Sequence, residues 1–233
     1  MKPRAGTNAR FARRLGTILC GAGIVALLWA GVTWRFGDPV TGLYTRWRQH
    51  TLAAELDRRF SAYTPAAPPR RLAGRVDWAW IRRAAAAYRH DTHRGEAIGW
   101  IVVPRIGLRM VLVNGTDEAS LRSGPGRYLG SFMPGEGRLT YIAGHRTTYL
   151  APFAHIDAIR RGDRVTLAMP YATFVYSVTG HRIVAADDTS VLHSGRGDEL
   201  ELQACHPRFS ASHRYVVFAG LVGVVPATAD RSA

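Results

Sequence analysis

The chain has 233 residues, 47% of them hydrophobic and 21% charged, which suits one or two globular domains and excludes wholesale disorder. The formal net charge is +14, and all but one of the 31 basic residues are arginine, a bias that reads as genome composition. A basic balance of this size fits nucleic acid, an anionic membrane surface or an anionic cell wall. Two cysteines, Cys20 and Cys205, exclude a disulfide-stapled scaffold.

Residues 1–14 form a basic N-terminus carrying Lys2, Arg4, Arg10, Arg13 and Arg14 without an acidic residue. Residues 15–34 (LGTILCGAGIVALLWAGVTW) are uncharged and apolar. As a helix they span about 30 Å, the thickness of a bilayer core. The charge asymmetry predicts a cytoplasmic N-terminus and an exported remainder, that is, a single-pass cell-membrane protein. A cleaved signal peptide is the rival, but bulky residues such as Trp29 and Trp34 stand where small residues would mark a cleavage site. An uncleaved signal anchor is therefore expected. Export disfavours a nucleic-acid partner despite the charge. It also leaves Cys205 unpaired outside the membrane, either a reactive thiol or a buried core residue.

Residues 35–71 read as a juxtamembrane stalk and linker. Leu43, Trp47, Leu52, Leu56 and Phe60 have the spacing of an amphipathic helix over 43–60, and TPAAPPR over 64–70 is a Pro-rich stop. Residues 72–226 read as one domain, followed by a tail over 227–233. A short helix is predicted over 76–88, then strands over 98–103 and 109–113 forming a hairpin. One helical turn follows over 117–122, and a Gly- and Pro-rich loop over 123–137. A strand over 139–143 and a short helix over 151–160 come next, then strands over 164–168, 173–179, 200–204 and 215–225. Many short strands and few helices predict an all-β fold, a closed or nearly closed barrel.

Three residues stand at predicted strand ends. His145 follows the strand over 139–143, and an imidazole there can shuttle protons. Cys205 ends LELQAC before Pro207, which stops the ladder, and is a candidate nucleophile. Arg214 opens the next strand and can stabilise an oxyanion or hold a thiolate. Each alone has a plainer reading as a surface or core residue. A metal site built from Cys205, His206 and His213 with His145 or His193 lacks the usual ligand spacing, so no metal and no cofactor is expected.

The order His, Cys, Arg, each at a strand end in an anchored β domain, resembles the sortases, membrane-anchored cysteine transpeptidases of Gram-positive bacteria. PGRYLGSFMPGEG, IAGHRTTYLAPF, RRGDRV and CHPRFSASHRYVVFA are similar to class E sortases of actinobacteria, over residues 98–225. The resemblance implies a sortase barrel with Cys205 as nucleophile, His145 as general acid/base and Arg214 as the oxyanion and substrate-positioning group. It implies cleavage of a C-terminal LPxTG- or LAxTG-like sorting signal through a thioester. Transfer to an amine of a peptidoglycan precursor, or to another amine acceptor, follows. The expected partners are surface proteins bearing such signals. Ala204 departs from the family's usual threonine before the cysteine, a hydroxyl that is a candidate for orienting substrate or arginine. Gly137-Arg138-Leu139 departs from the more frequent Gly-Asn. A hydrolytic surface peptidase and a non-catalytic wall-binding module are the competing readings.

Overall fold

The computed structural model describes residues 5–36, 39–64, 76–193, 195 and 197–227. Most of the Pro-rich linker and all but the first residue of the expected C-terminal tail lie outside these. The chain divides into two compact units, Met1–Pro39 and Val40–Ala233. The first is helix α1 (Ala5–Phe36). Its stretch Arg10–Val32 has a mean hydropathy of 2.1 over its most apolar window and buries none of it, so by length and composition it can cross a bilayer.

In the second unit, eight strands close a barrel in the order β1-β2-β3-β4-β7-β8-β6-β5. They are β1 (Ala97–Val103), β2 (Leu108–Asn114), β3 (Gly126–Arg127), β4 (Leu139–Ala143), β5 (Arg164–Ala168), β6 (Ala172–Ala185), β7 (Glu199–His206) and β8 (His213–Pro226). The expected hairpin is β1 with β2. Most pairs are antiparallel; β3 runs parallel to β2 and β4 parallel to β7. The parallel β4–β7 contact matters most, because it sends two strands out of the same end of the barrel side by side.

Alternation sorts the side chains of the site-bearing strands. Ile142, Leu200, Leu202, Ala204, Tyr215, Val217 and Ala219 fill the interior. Helix α3 (Trp78–Asp91) caps this core with Trp80, Ile81, Ala85 and Tyr88 on one face. Asp77 starts it by accepting from the Trp80 N–H at 3.0 Å. On the outer face, Leu139 and Tyr141 of β4 and Val216 and Phe218 of β8 pack under Val191 and Leu192 of the 3-10 turn Thr189–Leu192. The segment between β6 and β7 therefore lies over the outside of β4, β7 and β8.

Helix α2 (Pro39–Ala62), expected as a stalk, is docked on the barrel from Thr41 onward. Leu52 and Leu56 are buried against Ala97, Val111 and Val113. The Gln49 amide donates to Val111 O at 3.1 Å and accepts from Val111 N–H at 2.7 Å. Two-residue β3 pairs only with Val113 and Asn114 of β2, and Gln49 satisfies the strand edge that β3 leaves open.

The structure differs from the sequence expectation in three further places. The loop over 123–137 contains β3, too short to show as periodicity. β6 runs to Ala185, well past the alternating segment that predicts it. The helix expected over 151–160 is only a 3-10 turn, Ile156–Ala158. Tyr149, Leu150 and Ala151 take φ of 52°, 60° and 41°, in the left-handed region. Three such residues in a row carry a conformational cost of roughly 1 kcal/mol or more each. Burial of Phe153 and the Phe153 N–H bond to His145 O at 3.1 Å fold the chain back there.

Candidate active site

Cys205 and Arg214 are directly opposite each other on β7 and β8. Opposed antiparallel residues share a face with Cβ atoms roughly 5 Å apart. That face is the outer one, since the neighbouring Ala204 and Tyr215 both point inward. On the other side of β7, Ala143 of β4 is level with Gln203, and the Gly144 N–H donates to Gln203 O at 3.0 Å. β4 ends at Ala143, and His145 stands two residues beyond its last paired position. Cys205 and Arg214 thus share one face of two adjacent strands, and His145 follows the end of β4, the strand on the other side of β7.

The turn into His145 depends on a glycine. A Cβ on Gly144 would meet Phe153 Cδ2 at 2.7 Å, too close for a buried ring to relieve. His145 Nε2 is buried and has no hydrogen-bond partner among the described residues, and the ring lies 5.0 Å from the Tyr149 ring. Burial holds the imidazole below its ordinary pKa, with Arg122 acting the same way and Glu118 opposing. The neutral ring is favoured at pH 7.

The Arg214 guanidinium donates from one terminal nitrogen to Ala211 O at 2.8 Å and His213 O at 3.1 Å. It holds the β7–β8 turn while the rest of its donor fork remains for a ligand. Cys205 is a free thiol, half-buried at the strand end. The other histidines near the site have separate surroundings. His193 donates from Nδ1 to Ser190 O at 3.1 Å, and His213 lies 3.0 Å from Ser212 Oγ. His206 follows Cys205 and projects to the opposite face of β7, so the two cannot converge on one ion.

Three side chains here are invisible as site residues in the sequence. Arg146 looks like part of a polar loop but is 4% exposed. Glu201 and Gln203 look like the solvated face of β7, yet both are buried. The Glu201 carboxyl is pushed up to about 8 by burial and by Glu199, against Arg182. One of its oxygens, Oε2, has no hydrogen-bond partner among the described residues. The sequence signal for this burial would have been the apolar pair Val191–Leu192 in a loop otherwise polar.

The Glu201 environment predicts a pH effect. The folded carboxyl keeps its proton to about pH 8, whereas an unfolded glutamate releases it near 4.5. The unfolded state therefore loses the proton first as pH rises, and stability falls between those values. In thermal melts, Glu201→Gln is expected to match the wild type near pH 4.5 and to melt several degrees higher above pH 8. Equal melting temperatures at both pH values would contradict the buried carboxyl.

A matching sortase domain covers residues 101–222, slightly more than half of the chain. The chain belongs to the sortase family. It is 33% identical to Sortase D of Bacillus subtilis over 138 residues, 57% of this chain and 67% of that one. It is 30% identical to Sortase A of Bacillus anthracis over 129 residues, 55% of this chain and 61% of that relative's length. Among solved structures, a Clostridium perfringens Sortase D5 transpeptidase superposes with a TM-score of 0.61 at 22% identity, covering 76% of this chain and 99% of that one. Sortase E of Streptomyces avermitilis gives 0.52 at 28% identity, covering 58% and 93%. The barrel is the sortase fold, and the protein is a sortase-type cysteine transpeptidase acting on surface proteins.

Where the resemblance leads one to expect a threonine before the cysteine, the chain has Ala204. Its side chain is fully buried in the barrel interior, facing away from Cys205. A threonine hydroxyl there would meet the core. Ala204→Thr is therefore expected to destabilise the fold by about 1–3 kcal/mol through overpacking. Peptide preference should stay unchanged. A shift in signal preference without loss of stability would show that residue 204 reaches the substrate.

Proposed function

We propose that this sortase cleaves a C-terminal LPxTG- or LAxTG-like signal and joins the surface protein to an amine of the cell wall. The observation that supports the proposal is that Cys205 and Arg214 are directly paired on β7 and β8, while His145 follows β4, which pairs with the other edge of β7. Cys205 Sγ attacks the scissile carbonyl carbon while neutral His145 takes the thiol proton. Arg214 donates to the oxyanion that forms on the carbonyl oxygen. As the C–N bond breaks, His145 returns the proton to the leaving amine, and a thioester remains. An acceptor amine then attacks the thioester carbon, His145 removes the surplus proton, and the Cys205 thiol is restored. The acceptor we favour is a peptidoglycan-precursor amine.

The class E assignment rests on the motifs around His145 and Cys205 and on similarity to Streptomyces sortase E, alongside the higher identity to a class D relative. Parallel assays with LPxTG and LAxTG peptides, with and without an added amine, test this reading. Faster cleavage of the LAxTG peptide, with amide product formed when amine is present, is expected. Cleavage with water as the sole acceptor would support the hydrolytic alternative.

We also propose that α1 is an uncleaved anchor with Arg10, Arg13 and Arg14 on the cytoplasmic side. The domains then run as a cytoplasmic segment (1–14), an anchor (15–34), a juxtamembrane region (35–71), a catalytic barrel (72–226) and a tail (227–233). Protease added to intact protoplasts is expected to digest the barrel and spare the N-terminal arginines. A fully protected barrel would contradict this orientation.

A further inference from the structure

His145 lies beyond the end of β4, where strand pairing no longer fixes it. Its backbone is held at two places, by the Gly144 bond to Gln203 O and the Phe153 bond to its own carbonyl. The residues that follow bend back through three left-handed positions. A loop of this kind needs a further constraint if the imidazole is to keep one distance from the thiol.

Arg146 supplies contacts of the right kind. Its side chain is buried and ion-paired to Asp157, Nη2 to Oδ2 at 2.9 Å, on the 3-10 turn Ile156–Ala158. From Nη1 it reaches His206 Nδ1 at 2.9 Å and the carbonyl oxygen of Cys205 at 3.4 Å. A guanidinium only donates, so His206 Nδ1 accepts and the ring proton sits on Nε2. The guanidinium also lies 5.9 Å from the centroid of the inward-facing Tyr215 ring.

Arg146 therefore approaches β7 from the inner side of the barrel end, behind the strand that carries the thiol. Cys205 and Arg214 face outward, so Arg146 meets the nucleophile's backbone and not the substrate. We propose that Arg146 is a positioning residue: it clamps the loop bearing His145 to the end of β7 and to Asp157, fixing the imidazole against the Cys205 thiol. This rests on the transpeptidase reading of His145 and Cys205.

The clamp has a distinctive geometry. One planar fork must engage a carboxylate on one side and an imidazole and a carbonyl on the other. A lysine can keep the Asp157 pair but not all of these contacts. A small misplacement of reacting groups costs up to ~100-fold in rate without weakening substrate binding.

The test uses the full chain in detergent micelles with Arg146→Lys, Arg146→Met and Asp157→Asn. Turnover of a sorting peptide is normalised to titrated Cys205 thiol, and hydrogen exchange is followed over residues 144–153 and 203–207. Arg146→Met is expected to lower kcat roughly 10- to 100-fold with KM within about twofold. Arg146→Lys should recover part of that loss, and Asp157→Asn should show a smaller one. Exchange over both segments should speed up in the order Lys, then Met. If Arg146→Met is too unstable to purify, Arg146→Lys and Asp157→Asn decide by the same kcat and KM split. Unchanged kcat per thiol, with only a lowered melting temperature, would reduce Arg146 to a packing role and overturn the proposal. Should the wild type itself fail to cleave any sorting peptide, the transpeptidase reading fails. Unchanged exchange in the variants would then overturn the clamp separately.

Discussion

Cys205→Ala is expected to give a folded protein with no cleavage of a sorting peptide. The barrel domain contains no second thiol, since Cys20 lies within α1. Removing a nucleophile that acts with its base as a unit costs several orders of magnitude, here more than roughly 10⁴-fold. The fold should tolerate the change. Cys205 is half-buried at the end of β7, its side chain lies outside the main core, and one sulfur atom is removed. A stability change of about 1 kcal/mol or less is expected, which thermal melts will register separately from the activity loss.

Arg214→Ala is expected to lower kcat by a hundredfold or more, the usual worth of a donor aimed at an oxyanion, about 2–4 kcal/mol. The register gives the reason: Arg214 is the residue opposite Cys205 on the same face. A second role has to be separated from this one, because the same guanidinium holds Ala211 O and His213 O in the β7–β8 turn. Arg214→Lys makes the separation. An ammonium keeps the charge and can hold one or two turn carbonyls, but it loses the planar fork that serves turn and oxyanion together. Partial recovery of kcat by lysine fits oxyanion stabilisation. Full recovery would show that a cation at the turn is all that residue 214 provides. A neutral Arg214→Ala would remove it from the chemistry.

The strands that make the site were legible because their sequences obey period two and end at Gly144 and Pro207. Leu200, Leu202 and Ala204 alternate with Glu201 and Gln203, and the interior of β7 is the first set. Adjacency of Cys205 and Arg214 followed from one short loop joining their strands. Adjacency of His145 did not, because β4 meets β7 across more than fifty residues of intervening chain and in parallel. Only the resemblance to sortases groups His145 with Cys205 at the level of sequence.

What stayed hidden depends on long-range cover. The outward-facing Glu201 and Gln203 of β7 are buried between strands whose outer residues pack with Val191 and Leu192, so their polarity misreads as exposure. Arg146 misreads in the same way, since its contact with His206 joins segments sixty residues apart and its ion pair with Asp157 closes a loop without periodicity. The docking of α2 was hidden for a third reason. Its buried face is narrow, with Leu52 and Leu56 seated on the barrel while Leu43 and Trp47 remain exposed. A pattern of five apolar residues therefore overstated the buried stripe and gave no hint of Gln49 completing a strand edge.

The most direct test is to capture the acyl-enzyme. The full chain is mixed with an LAxTG or LPxTG peptide without added amine, quenched in acid, digested and examined by mass spectrometry. The account predicts a hydroxylamine-sensitive adduct on the peptide containing Cys205, with the mass of the fragment N-terminal to the cleaved bond. The adduct should be absent from Cys205→Ala and should discharge to an amide when an amine is supplied. Cleavage of the peptide by the Cys205→Ala protein at the wild-type rate, with no adduct on Cys205 in the wild type, would contradict it.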